Sequence, residues 1–178
     1  MKKQTNFNND YINGRDTIEI RNARIDDFND LYNIEKECFS PLEAVGKDAL
    51  KDRLNTFPNH FWIISEDEKI VSFINGLATD LPDLVDEMYE DASMHDENGD
   101  WQMIFGLNTL PKYRKNGYAG MLVNHMIDVA KKENRLGVVL TCKEYLVSYY
   151  SRFGFIDEGK SDKSHHAGEV WNQMRIKF

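Results

Sequence analysis

The stretch from Trp101 to Thr141 constrains the fold of this chain most. Trp101 to Asn108 reads as a strand, Ala119 to Asn134 as the longest helix, and Gly137 to Thr141 as a buried strand with Val138, Val139 and Leu140 in succession. The helix carries Leu122, Met126, Ile127, Val129 and Ala130 at a spacing that turns them inward. A strand, a helix and a second strand in this order predict a strand–helix–strand unit and a mixed α/β architecture.

The first half predicts antiparallel pairing. Thr17 to Arg21 alternates like a strand, and Phe61–Ser65 and Ile70–Leu77 form a second and third strand around a polar turn. Asp26 offers a cap for a helix carrying Phe28, Leu31, Ile34, Glu35 and Cys38 at helical spacing. Lys47 to Asn55 predicts another helix, ended by Pro58. Leu81 to Asp91 predicts a third, with Leu81, Leu84, Val85 and Met88 on one face. Leu146 to Phe153 reads as a short helix, and Phe155–Gly159 and Val170–Phe178 as two paired strands. The length of 178 residues suits one domain, taken as residues 17–178. Residues 1–16 are polar and Asn-rich and read as a loose, flexible tail.

Between the first strand and the long helix lies the segment that suggests chemistry. Lys112, Arg114 and Lys115 precede Gly117, Ala119 and Gly120, which open the helix. The first turn of a helix exposes amides with no internal partner, and small residues let a phosphate approach them. A glycine at a helix start is also commonly structural. Gly106 and the polar Asn108 stand in a strand that should be apolar, which predicts a bulge or splay. Two parallel strands that part leave free backbone groups between them. An extended, amide-rich chain such as pantetheine, joined to a pyrophosphate, inserts there like an added strand.

These residues resemble the GNAT superfamily of acetyltransferases. Its acyl-CoA signature, Arg/Gln-x-x-Gly-x-Gly/Ala, is matched by Arg114, Gly117 and Ala119, and the similarity runs from about Ile18 to the C-terminus. Within the superfamily the chain is most similar to the arylalkylamine (serotonin) N-acetyltransferase group. Three segments carry that likeness: Ser40–Ala44 with Leu50, Arg53 and Phe57-Pro58; Phe73–Gly76 followed by the acidic helix; and Tyr145–Phe155. The resemblance implies a single-domain α/β fold, a mixed central sheet with splayed parallel strands flanked by helices. It implies acetyl-CoA as co-substrate and no metal. Backbone contacts to pantetheine would come from Leu107 and Thr109, with Asn108 between them. Pyrophosphate contacts would come from Arg114, Lys115, Asn116, Gly117, Tyr118, Ala119 and Gly120. Tyr150 matches the tyrosine that protonates the departing thiolate; read without the resemblance, it is an aromatic packing residue.

The implied reaction moves an acetyl group to a primary amine of a small molecule, an arylalkylamine or a polyamine, by direct attack. A peptide or protein N-acetyltransferase and a non-catalytic CoA-binding sensor remain as alternatives. One departure motivates the sensor. The places of two proton-carrying histidines hold Met103 and Phe105, and Gln102 stands near where other members use a glutamate. An alkylammonium has a pKa of about 10, so a proton must leave before attack. Asp100, Glu43 and a water chain held by backbone carbonyls and Gln102 are the candidate routes.

Other features set bounds. The formal net charge of −8 argues against non-specific nucleic-acid binding. No apolar run reaches the roughly 20 residues of a membrane span. Cys38 and Cys142 are far apart and suggest neither a disulfide framework nor a metal site, so a reduced, cytoplasmic setting is expected. From Ile70 to Pro111 there are nine acids and no Lys or Arg, either a solvated face or a field for a cationic amine. His60, His95 and His125 read as surface or edge residues, and His165-His166 lacks further metal ligands. Phe57, Phe61, Trp62 and Trp101 are candidates for an aromatic acceptor pocket or for the core. Cys142 reads as a buried structural thiol. A monomer is expected, or a homodimer through the last strands.

Overall fold

Alternating side chains build the first sheet. The computed structural model describes residues 17–178, so the tail expected at residues 1–16 lies outside the described residues. β1 (Ile18–Asn22) pairs antiparallel with β2 (Phe61–Glu66), Ile20 opposite Ile64. β2 pairs antiparallel with β3 (Lys69–Asn75) across a two-residue turn. Asp67 and Glu68 there both have positive φ, as a tight hairpin requires. α1 (Phe28–Cys38) and α2 (Lys47–Thr56) cover one face of this sheet. Leu31, Ile34, Leu50 and Leu54 pack on Phe61, Ile63 and Phe73.

β4 (Ala78–Thr79) follows, then an irregular segment with one short helix, α3 (Glu87–Glu90). The helix expected over Leu81–Asp91 is therefore a correction. Leu84 and Met88 are buried as its periodicity predicts, but Leu81 is 44% exposed. The backbone finds partners elsewhere: Leu84 N–H donates to Gln173 Oε1 (3.3 Å) and Asp86 N–H to the Lys163 carbonyl (3.3 Å). Amides satisfied by the far end of the chain have no need of a helical turn.

The strand expected over Trp101–Asn108 divides at Phe105 into β5 (Trp101–Ile104) and β6 (Gly106–Thr109). α4 (Tyr118–Lys132) then leads to β7 (Gly137–Cys142), α5 (Val147–Ser151), β8 (Ile156–Lys160) and β9 (Asn172–Lys177). β6 ends a four-stranded sheet ordered β1-β2-β3-β6, whereas β5 lies inside a five-stranded sheet ordered β4-β5-β7-β9-β8. β5 and β7 run parallel from Trp101–Gly137 to Ile104–Leu140, and β6 then turns away to pair with β3. Gly76 permits the crossing, because a Cβ there would stand 1.7 Å from the Met103 carbonyl oxygen. The expected splay is thus a change of sheet. α4 spans both sheets, setting Leu122, Val123, Met126 and Ala130 against Ile64, Ile74, Val138 and Leu140.

One further expectation changes. His60 is fully buried and the His95 side chain is only 7% exposed, both rings turning toward polar partners behind β5. Of the two alternatives for the aromatic residues the core holds: Phe57, Phe61 and Trp101 belong to it, and Trp62 packs at its edge. Among the described residues no helix is long and apolar enough to cross a membrane.

Candidate active site at the parting of the sheets

β6 has one edge against β3 and one edge facing the gap. Leu110 N–H bonds to the Val71 carbonyl, and Phe73 lies opposite Asn108. Alternation along an antiparallel ladder then turns the amides of Leu107 and Thr109 toward the gap. The Thr109 carbonyl accepts from Arg114 Nε (3.1 Å) and from Cys38 Sγ (3.3 Å). Asn108 points elsewhere: its side chain is buried and donates through Nδ2 to Glu35 at 2.6 Å.

The loop entering α4 has the form its sequence suggests. Lys115 and Gly117 take positive φ (67° and 86°), and Gly117 is the helix cap with open space at its Cα. Met121 N–H makes the first bond of the helix, to the Gly117 carbonyl. The amides of Ala119 and Gly120 precede that bond, and the glycine cap brings no side chain to them. Arg114, Lys115, Asn116 and Gly117 are exposed. Tyr118 turns inward, its hydroxyl donating to Glu66 at 2.5 Å, which pins the start of the helix to β2. Exposed amides, the helix dipole and the two cations suit this corner to an anion.

Beyond the gap lies a cavity of about 140 Å³. α5 supplies Tyr150 and β7 supplies Thr141 and Cys142. Phe105, Tyr89 and Trp171 form aromatic walls, with Tyr89 and Phe105 ring centres 5.0 Å apart. His166 closes the far side. Its Nε2–H donates to the Glu43 carbonyl (3.1 Å), and its own carbonyl accepts from Trp171 Nε1 (2.9 Å). The segment carrying His166 is fastened to the irregular acidic stretch: Lys163 to Asp83 at 2.6 Å, and Ser164 to Asp86 at 2.9 Å. Many acids of the 70–111 segment therefore hold loops in place. Asp83 also meets Arg175 at 2.6 Å, and Glu90 lines the cavity.

The proton-carrying groups fall into two sets. Tyr150 is buried, lines the cavity, and its hydroxyl has no hydrogen-bond partner among the described residues. Burial, with Cys142 and Tyr149 adjoining, pushes its pKa well above the usual tyrosine value. It therefore keeps its proton until a strong base forms beside it. Burial also pushes the Cys142 thiol up to about 12, and its Sγ contacts Met174 Sδ, an environment for an inert thiol. Glu35 lies in the same cavity. Burial raises its pKa even though Val45 N–H and Asn108 Nδ2 both donate to it. Glu43 is held below the usual carboxylate range: its slight burial is outweighed by Lys143 and Ser40.

The remaining proton-route candidates lie elsewhere. Asp100 precedes β5, at the end away from the gap, and does not line the cavity. Gln102 is buried, and its Nε2 donates to the Leu77 and Met103 carbonyls. Met103 is packed in the core, while Phe105 lines the cavity. Glu35 is not among the proton-route candidates read from the sequence, although a lone carboxylate inside the apolar stripe Leu31–Ile34–Cys38 is a visible signal.

One cluster outside the cavity has ligand-type atoms. The Nε2 atoms of His60 and His95 stand 3.2 and 3.1 Å from Glu97 Oε2. The Ala78 amide donates to His95 Nδ1 (3.2 Å), so a neutral His95 ring carries its proton on Nε2, aimed at Glu97. Gln102 Oε1 accepts from His60 Nδ1 at 2.6 Å. These bonds describe a polar brace between β2, β5 and the acidic loop, with the His95 nitrogen a metal would need already bearing hydrogen.

The sequence profile of the acetyltransferase (GNAT) family matches residues 28–155. No curated protein matches the chain in sequence. Among solved structures, the loading GNATL domain of CurA from Lyngbya majuscula superposes with a TM-score of 0.79 at 18% identity, covering 90% of this chain and 97% of that one. The PaiA N-acetyltransferase from Thermoplasma acidophilum, in complex with coenzyme A, gives 0.66 at 17% identity, with 90% and 99% covered. The ribosomal-protein-S18-alanine N-acetyltransferase from Escherichia coli gives 0.66 at 13%, with 90% and 93% covered. At these identities the structural likeness speaks to the fold. The profile match spans the parted strands, the α4 loop and the Tyr150 helix, and on that basis the chain belongs to the acetyltransferase (GNAT) family.

Proposed function

We propose that the protein transfers the acetyl group of acetyl-CoA to a primary amine of a small molecule, of the kind an arylalkylamine represents. One observation carries the small-acceptor reading. The His166–Glu43 contact ties the 161–171 segment to the 40–45 segment across the cavity, narrowing a space with aromatic walls in a way that suits a compact acceptor better than an extended peptide. The segments behind the arylalkylamine resemblance also supply Glu43, Ala44, Leu146 and Tyr150 to its lining.

In this reading pantetheine lies along the free edge of β6, and the amides of Ala119 and Gly120 receive the pyrophosphate. The Leu107 N–H polarises the thioester carbonyl. Glu35, whose raised pKa brings it closer to neutrality, takes the proton from the ammonium; two donors leave its carboxylate with acceptor capacity to spare. The amine nitrogen then forms the C–N bond. As the C–S bond breaks, the Tyr150 hydroxyl gives its proton to the sulfur, the nitrogen's remaining extra proton passes to the tyrosine oxygen to restore it, and Glu35 releases the first proton to solvent. Holding both reactants in line supplies much of the acceleration.

Thiol release from acetyl-CoA, followed over a panel of arylalkylamines, polyamines and N-terminal peptides, tests this. Small amines are expected to turn over faster than peptides. Faster turnover of peptides would replace the acceptor class, and acetyl-CoA binding without release for any acceptor would favour a sensor.

A further inference from the structure

α2 places a cation inside the acceptor cavity. Arg53 is 5% exposed and lines the cavity beside Phe105 and Tyr89. A guanidinium has five N–H donors. Here Nη2 donates to the Tyr89 carbonyl at 2.6 Å, and Nη1 reaches Asn75 Oδ1 at a long 3.4 Å. The Nε–H is buried with no acceptor. Arg21, Arg135 and Arg175 each meet a carboxylate at 2.9 Å or less, whereas Arg53 has no such ion pair among the described residues. The Phe105 and Tyr89 rings, 4.9 and 5.9 Å from its Cζ, favour the charge but accept no in-plane hydrogen bond.

Glu35 and Glu90 act on the guanidinium only across the cavity, so it has no carboxylate in hydrogen-bond contact and can take one from a ligand. Glu35, the buried carboxylate lining the same cavity, takes its bonds from Val45 and Asn108 instead. A cation donor and a carboxylate are thus held apart in one enclosure. That is the arrangement a zwitterion fits, with the ammonium toward Glu35 and the carboxylate on the guanidinium fork.

We propose that Arg53 receives a carboxylate of the substrate, and that the acetyl acceptor is an amine which also bears that carboxylate, as an aromatic amino acid does. This rests on the acetyl-transfer reading above. The same chemistry has a second source, the free carboxylate of a dicarboxylic acyl-CoA, and the test separates the two.

Thiol release is measured at saturating acetyl-CoA for matched pairs, phenylalanine against phenethylamine and tryptophan against tryptamine. Calorimetry compares malonyl-CoA and succinyl-CoA with acetyl-CoA. The carboxylated member of each pair is expected to show kcat/KM about tenfold higher or more. Arg53→Lys, which keeps the charge but not the fork, should raise KM for that member about tenfold and leave acetyl-CoA affinity within about twofold. A preference seen only among the thioesters assigns the carboxylate to the acyl group. Equal turnover within pairs together with equal thioester affinities overturns the assignment while leaving acetyl transfer intact. Failure of acetyl-CoA to bind overturns the underlying reading and this inference with it. The wild-type comparisons decide the matter even if Arg53→Lys does not fold.

Discussion

The two sides of the gap are built from different materials. On the α4 side the apparatus is main chain: the outward amides of β6, the exposed cap at Gly117 and the first turn of α4. On the far side it is side chains held inside: Glu35 from α1, Arg53 from α2, Tyr89 from α3 and Tyr150 from α5. The first side needs only one continuous stretch of chain to fold correctly. The second exists only when four helices meet. The first is therefore suited to a ligand part that never varies, and the second to the part that distinguishes one substrate from another.

Substitutions can break or sharpen that contrast. Gly117→Glu puts a carboxylate and a Cβ at a positive-φ cap facing the proposed pyrophosphate, and is expected to weaken acetyl-CoA binding by about 100-fold in calorimetry with circular dichroism unchanged. Retained affinity would remove the main-chain side from the argument. Tyr150→Phe acts on the other side. It should leave that affinity alone and lower kcat by about 100-fold, as loss of a general acid does. Unchanged turnover would return Tyr150 to a packing role.

Glu35→Gln should cost about 30-fold near neutral pH and little near pH 10, where an alkylamine has already lost its proton. Burial raises the Glu35 pKa, so the wild-type rate should fall as the pH drops through that raised value, and the variant should lose this acidic limb. A pH profile identical in both proteins would clear Glu35 of any proton transfer. Asp83→Asn, at the anchor of the 161–164 loop, should have the smallest effect. Lys163 chiefly, with Gln173 and Arg175, lowers the Asp83 pKa to about 2. Its stabilisation is therefore present above the ordinary carboxylate value near 4 and lost as the pH falls toward 2; screening at the surface keeps it to about 1 kcal/mol at neutral pH. Thermal melts of both proteins at neutral and acid pH should converge at the acid end.

The same division governs what the sequence discloses. Hydrophobic periods of two and of about 3.6 residues are local, so β1 to β3, α1, α2, α4 and β7 are legible almost to the residue. So is the Gly117 loop, because small residues at a helix start state their backbone requirement directly. Gly106 and Asn108 announce an irregularity but not that the chain changes sheets there. Leu81–Asp91 misleads because Gln173 and Lys163, some 80 to 90 positions away, take the amides a helix would use. His60 misleads in the same way: its burial depends on Gln102, which is turned toward it by two carbonyls of the neighbouring backbone. Arg53 and Glu35 are readable as charges in apolar helical stripes, but their common cavity is a product of tertiary packing.

The change of sheet at Phe105 has a mechanical side. Beyond the bond from Phe105 N–H to the Asn75 carbonyl, no ladder among the described residues joins the two sheets across the parting, and α4 packs on both from one face. A slender guest lying in the slot and bonding to both lips would act as a splice between two half-bodies. Its binding energy would then appear as resistance to melting shared by both sheets, growing with the logarithm of guest concentration.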